Sequence, residues 1–152
     1  MKLAIIIEGS NNSGKTSTIK HLVNNYSNRS LNRIKAGWQR IFLNPNFPNL
    51  KIDVYCIPSS PSESDNPLSN RFSQWLPDVI LVAEQPNGKH YNSTYTFLQS
   101  NGFQIITRSI NNIDGSGDWE RFDVNSSKLK LDNRAEDIIN DTIQLLKTNK
   151  II

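Results

Sequence analysis

The chain carries one cysteine in 152 residues. No internal disulfide can form, so the fold must be held by burial and hydrogen bonding, and a reducing compartment is expected. Cys56 lies in the apolar stretch Val54-Tyr55-Cys56-Ile57, where a thiol serves as a small core side chain rather than a nucleophile. Long hydrophobic runs are also missing. The apolar N-terminal stretch is broken at Glu8 and Gly9, too soon for a signal peptide or a membrane span. A cytoplasmic protein with no membrane partner is therefore expected. No run of Lys or Arg stands out and no basic-aromatic stripe is visible, which argues against nucleic acid as a partner. There is no internal repeat and no dividing linker, so a single domain over residues 1–152 is expected.

Hydrophobic residues make up 36% of the chain and charged residues 20%. A domain of this length buries roughly two-thirds of its unfolded surface, enough to stand without a structural metal. The formal net charge is +3 and the pI is near 9.1. A mild positive field favours a polyphosphate ligand, and it equally describes a solvated surface with a few extra lysines.

Residues 3–7 form a continuous apolar run rich in isoleucine, the pattern of a strand buried on both faces in a parallel sheet. Residues 15–24 then place Ile19, Leu22 and Val23 at helical spacing. Residues 38–43 and 52–57 read as strands. Residues 58–67, rich in Ser, Pro and Asp, read as an exposed loop with no apolar anchor, either a plain surface connection or a mobile cover that a ligand would order. Residues 68–76 predict a short helix with Leu68, Phe72, Trp75 and Leu76 on one face. A second central strand is expected over 78–83, a helix over 92–100, a third strong strand over 103–110 and an edge strand over 119–124. The last helix is expected to start at Asn133, with Glu136 completing a capping box. Strands alternating with helices predict an α/β fold in three layers, a mainly parallel sheet flanked by helices.

Between the first strand and the first helix stands Gly9-Ser10-Asn11-Asn12-Ser13-Gly14-Lys15-Thr16, followed by Ser17. A triphosphate presents crowded negative oxygens, and holding it needs several backbone N–H groups converging without side chains in the way. Glycines let the chain wrap closely, and the following helix adds its N-terminal N–H groups and dipole. In such a loop Lys15 reaches the β- and γ-phosphates and Thr16 gives its hydroxyl to Mg²⁺. The expected cofactor is Mg²⁺ with ATP. The short Gly115-Ser116-Gly117 run reads only as a turn.

An acid near the metal is the second requirement. Ligands of open parallel sheets bind beyond the carboxyl ends of the strands, and Glu84 follows the strand over 78–83. It is the candidate to orient a magnesium-bound water or to act as base, with Glu8 the next in line. Asp78 and Asp53 stand at the wrong strand ends. Phosphoryl transfer also wants cations over the developing charge. Arg108, near the end of the strand over 103–110, is the catalytic candidate, and Arg71 could belong to a cover.

The run Ile5-Ile6-Ile7-Glu8-Gly9 leading into Gly14-Lys15-Thr16 resembles the start of the thymidylate and deoxynucleoside kinases within the P-loop NTPase superfamily, where a Glu-Gly pair opens the phosphate loop. The resemblance extends to about Asn25. It implies a P-loop fold, Lys15 and Thr16 on phosphate and magnesium, and phosphotransfer. Those kinases carry an Asp-Arg pair after a later strand, where this chain reads Glu84-Gln85-Pro86-Asn87.

Two functions follow. One is a small kinase-like phosphotransferase with Mg-ATP as donor and a small-molecule or nucleotide acceptor. The other, favoured by the missing Asp-Arg pair, is a P-loop ATPase or switch that works through a partner. The chain lacks an Asn/Thr-Lys-x-Asp guanine-reading signature, which favours ATP over GTP.

Overall fold

Strand β1 (Leu3–Glu8) is buried at every residue but its last. Leu3, Ile5 and Ile7 pack into one core and Ala4 and Ile6 into another, because alternate side chains of a strand leave opposite faces of the sheet. A strand in that position has no polar face, which is why the sequence reads as an unbroken apolar run. The computed structural model that shows this describes residues 1–10, 13–44, 46–47, 49–110 and 127–152.

Strand β4 (Val79–Glu84) lies parallel to β1 on one side, with Glu8 opposite Glu84. Strand β5 (Gln104–Ser109) lies parallel on the other. Strand β3 (Lys51–Ile57) runs parallel to β4, and β2 (Gly37–Phe42) closes the edge antiparallel to β3. The five strands are ordered β2-β3-β4-β1-β5.

Helices α1 (Lys15–Tyr26) and α5 (Ser127–Thr148) cover the face carrying Ile5 and Ile7, through Ile19, Leu22 and Val23 and through Ala135, Ile138 and Ile139. The short α3 (Leu68–Arg71) and α4 (Tyr91–Ser100) cover the other, through Leu68 and Leu98, with Phe72 beside them. The result is a three-layer α/β arrangement around a mostly parallel sheet. Among the described residues no helix is long and apolar enough to cross a membrane.

This topology creates an opening. The chain leaves β1 into α1 on one face, and it leaves β4 into α4 on the opposite face. Where adjacent parallel strands send their helices to opposite sides, a crevice opens outside their carboxyl ends.

Three expectations need correction. Residues 58–67 are not an unanchored loop: they contain the one-turn helix α2 (Pro61–Ser64). Ser60 is extended, its hydroxyl accepts the Glu63 N–H, Pro61 opens the turn and Asp65 ends it in the left-handed region. That is a complete start and stop within a stretch whose polarity suggested only a loop. Helix α5 does not begin at Asn133, because the buried stripe of Ala135 and Ile138 continues back to Leu131 and draws the earlier turns into the helix. The helix foreseen over 68–76 keeps only its first turn. Trp75 is left 44% exposed against Trp38 and Tyr55. The strand foreseen over 119–124 and the Gly115-Ser116-Gly117 turn lie outside the described residues.

The α1–α5 contact carries a half-buried electrostatic tie. Asp132 Oδ1 meets His21 Nδ1 and accepts from Asn25 Nδ2, each at 2.9 Å, and Lys128 Nζ donates to its other oxygen at 2.9 Å. These hydrogen bonds, His21 first, hold the Asp132 carboxyl well below the ordinary carboxylate value of 3.8. A depressed carboxyl contributes stability that is present above its unfolded pKa and lost as the pH falls through the folded one. We predict that Asp132→Asn lowers stability at pH 7 by about 1–3 kcal/mol. The gap to wild type should narrow progressively below pH 3.8, as read by urea unfolding at a series of pH values.

Candidate functional site

At the end of β1 the chain turns at Gly9. Ser13 N–H donates to the Ser10 carbonyl at 3.2 Å, closing the loop on itself. The Ser13 hydroxyl folds onto Gly9 so closely that a Cβ at Gly9 would stand 2.4 Å from its oxygen, so this approach requires glycine. Gly14 then takes φ 95°, in the left-handed region, which a glycine adopts without strain. From there α1 starts directly. It has no side-chain cap and no acidic residue in its first turn, so the positive end of its dipole is not neutralised by its own chain. Asn11 and Asn12 of the loop lie outside the described residues.

Lys15 and Thr16 are the first residues of that helix. Lys15 is only 5% exposed. Its ammonium donates to the Ser10 carbonyl at 2.9 Å and lies 3.5 Å from Glu63 Oε1. The Thr16 hydroxyl donates to the Pro58 carbonyl at 2.8 Å. The Ser13 hydroxyl is buried and has no hydrogen-bond partner among the described residues, and a buried hydroxyl costs free energy until a partner completes it. Ser17 is half-buried beside them.

Glu84 stands at the carboxyl end of β4, in register with Glu8, and is fully buried. Its Oε1 accepts from Ser62 Oγ at 3.0 Å and from the Gln85 N–H at 2.9 Å, and its Oε2 accepts from Thr94 Oγ1 at 2.6 Å. A carboxylate without solvent needs such donors, and here they come from α2, from the chain just after β4, and from α4. Glu8 Oε2 accepts from the hydroxyls of Tyr91 and Tyr95, each at 2.9 Å. Burial, with the Glu8 charge and its hydrogen bonds adding to it, raises both phenols above their ordinary value. The second Glu8 oxygen makes no hydrogen bond to a described side chain.

The structure thus brings Gly9, Ser10, Ser13, Gly14, Lys15 and Thr16 together, with Glu8 and Glu84 on the adjoining strand ends. Arg108 stands at the carboxyl end of β5, beside the end of β1. It shares the sheet face of Ile7, opposite in register, and donates from Nε to Asp141 of α5 at 2.7 Å. Asp78 pairs with Lys2 and Asp53 with Arg40, both remote from the loop. Sequence reading missed Glu63, Ser62, Thr94, Tyr91 and Tyr95. Only the Ser60-Pro61-Ser62-Glu63 capping pattern could have flagged the first two. Arg134, buried on the packed face of α5 with its guanidinium pKa lowered by burial, was likewise not distinguished from the other arginines.

A cavity of about 590 Å³ lies away from the loop, lined by Trp38, Arg40, Ile52, Asp53, Asp78 and Val79. It opens at the amino end of β4, the wrong end for a ligand of an open parallel sheet. Among the described residues, no three His, Cys, Asp or Glu side chains are grouped to hold a metal ion. A magnesium ion that accompanies phosphates needs only one or two protein oxygens. No family model, no curated protein and no solved structure matches the chain.

Glu84 generates a stability prediction. Thr94→Val keeps the shape and removes one donor from a buried carboxylate. It should cost about 1.5–3 kcal/mol, read as a lower urea midpoint with unchanged slope. A loss under 0.5 kcal/mol, taken as roughly the size of an ordinary surface substitution, would mean that Thr94 does not support Glu84.

Proposed function

We propose that the chain is a P-loop nucleotide-binding protein that takes Mg-ATP on the loop from Gly9 to Ser17 and passes its terminal phosphoryl group to a small-molecule or nucleotide acceptor in the crevice between β1 and β4. The observation that carries this reading is the loop itself. A left-handed Gly14 feeds an uncapped helix N-terminus beside a buried lysine, and the buried Ser13 hydroxyl has no partner among the described residues. Together these gather a lysine ammonium, a serine hydroxyl and the N–H groups of a helix start at one place, which suits an anion. The resemblance of the Glu8-Gly9 lead to the thymidylate and deoxynucleoside kinases supports transfer to an acceptor.

In this reading the first N–H groups of α1 hold phosphate oxygens, and Lys15 exchanges the Ser10 carbonyl for the β- and γ-phosphates. Thr16 would hold Mg²⁺, which neutralises charge on the transferring group when bound. Glu8 and Glu84 lie on the acceptor side. Glu84 is the metal-side acid, and Glu8, steadied by two tyrosine hydroxyls, keeps one oxygen available for an acceptor hydroxyl. Arg108, at the end of β5 on the face that α1 and α5 cover and tied to Asp141, is the candidate cation over the developing charge. The second reading, an ATPase or switch working through a partner, is favoured by one observation: Lys15 and Thr16 are engaged by Glu63 and Pro58 of the chain itself.

Calorimetry with Mg-ATP on wild type and Lys15→Ala tests the site. The loss of a charge-assisted contact is expected to weaken binding roughly ten- to a hundredfold; equal affinities would refute it. Glu84→Gln separates binding from turnover. Affinity should stay within about threefold of wild type while phosphoryl transfer or hydrolysis, followed with labelled γ-phosphate, falls at least tenfold. Screening nucleosides, monophosphates and other small hydroxyl compounds as acceptors decides between the kinase and the partner-dependent ATPase.

A further inference from the structure

We infer that α2 is an internal competitor for the phosphate loop, seated on it when no ligand is bound and displaced when nucleotide arrives. The inference rests on the nucleotide reading above and adds to it how access to the site is controlled. Two groups that a magnesium triphosphate would use are taken by one short segment. The Glu63 carboxylate stands 3.5 Å from the Lys15 ammonium, an anion beside the cation that phosphate needs. The Pro58 carbonyl holds the Thr16 hydroxyl at 2.8 Å.

The same segment is clamped from its other side. Ser62 Oγ donates to Glu84 and accepts from the His90 N–H, both at 3.0 Å. Gly88 allows this approach, since a Cβ there would stand 2.4 Å from Ser62 Oγ. Asp65, just past the turn, meets His90 Nε2 at 2.8 Å and Lys89 Nζ at 3.1 Å. Residues 62–66 are all polar, and Glu63 is partly exposed. Pro58 and Pro61 are buried, and the rest of the turn is held by hydrogen bonds and ion pairs. Contacts of that kind exchange readily for stronger ones of the same kind. A magnesium triphosphate offers more charge to Lys15 and Thr16 than one carboxylate and one carbonyl do.

Displacement has a second effect. When Ser62 leaves, Glu84 Oε1 loses one of its two donors, and the carboxylate becomes available at the crevice. Phosphate binding and release of the metal-side acid are then one motion, carried by α2. This is the reverse of a cover that is disordered until ligand closes it: the ligand-free state is the closed one.

The test compares the full-length wild type with Glu63→Gln and Ser62→Ala, the second of which removes the clamp without changing charge. Each is titrated with Mg²⁺ and a non-hydrolysable ATP analogue, with Lys15→Ala as control, and amide exchange is followed over residues 58–66. If the closed state dominates, both variants should bind about three- to tenfold more tightly than wild type. Exchange over 58–66 should be faster in both ligand-free variants, and faster in wild type with ligand than without. Unchanged or weaker affinity in both variants, with Lys15→Ala weaker still, overturns the competitor and leaves the nucleotide site standing. A gain in Glu63→Gln alone would mean that charge acts on the ligand directly, and a gain in Ser62→Ala alone would mean that Glu63 does not compete; either overturns it. No binding by wild type or any variant overturns the competitor and the nucleotide reading together.

Discussion

A carboxylate cut off from water costs several kcal/mol unless donors surround it, and the surroundings of the crevice follow from meeting that cost at Glu84. Its three donors come from α2, from the backbone after β4, and from α4. Satisfying the charge fixes how α4 sits on the sheet and draws α2 across the strand ends. Once Ser62 is placed, Glu63 and Pro58 are carried to Lys15 and Thr16. A fully satisfied polar network rigidifies what it joins, and here it joins segments far apart in sequence.

Glu8 repeats the device one strand over. It faces the same side as Glu84 and is opposite it in register, so two like charges stand side by side, a repulsion that hydrogen-bond donors must offset. Glu8 draws its donors from Tyr91 and Tyr95, whose rings pack 5.1 Å apart. Helix α4 thereby serves both carboxylates, Thr94 for one and the tyrosines for the other. Lys15, at the start of α1, faces Glu63 and the Ser10 carbonyl instead.

What the sequence disclosed and what it hid divide along a physical line. The strands over 3–7 and 78–83 were legible because a strand buried on both faces has no choice but to be apolar. Helix α1 was legible from Ile19, Leu22 and Val23, and the loop from its glycines and lysine. Helix α2 was hidden because it buries little apolar surface, and its cap was legible only to a reader expecting a helix there. The start of α5 was misplaced because Asn133 and Glu136 imitate a cap while Leu131, one turn earlier, already packs. The partners of Glu8 and Glu84 were beyond reach, since nothing local marks a tyrosine that meets a carboxylate across most of the chain. Arg108 was placed at the correct end of its strand, but the face it takes depends on the side-chain alternation of β5, which its mixed sequence does not reveal.

The position of β1 has a kinetic meaning. It precedes the other four strands in sequence and lies inside the sheet, paired with β4 and β5. The hairpin of β2 and β3 needs only neighbouring residues, whereas β1 must wait for partners that are synthesised much later. Long-range parallel pairing of this kind is slow, and an isoleucine-rich segment that waits unpaired is prone to join its like in other chains. Lys2 and Glu8 bracket that segment. Opposite charges at its two ends discourage stacking on other strands during the wait. Glu8 therefore serves the nascent chain as a gatekeeper before it serves the folded one.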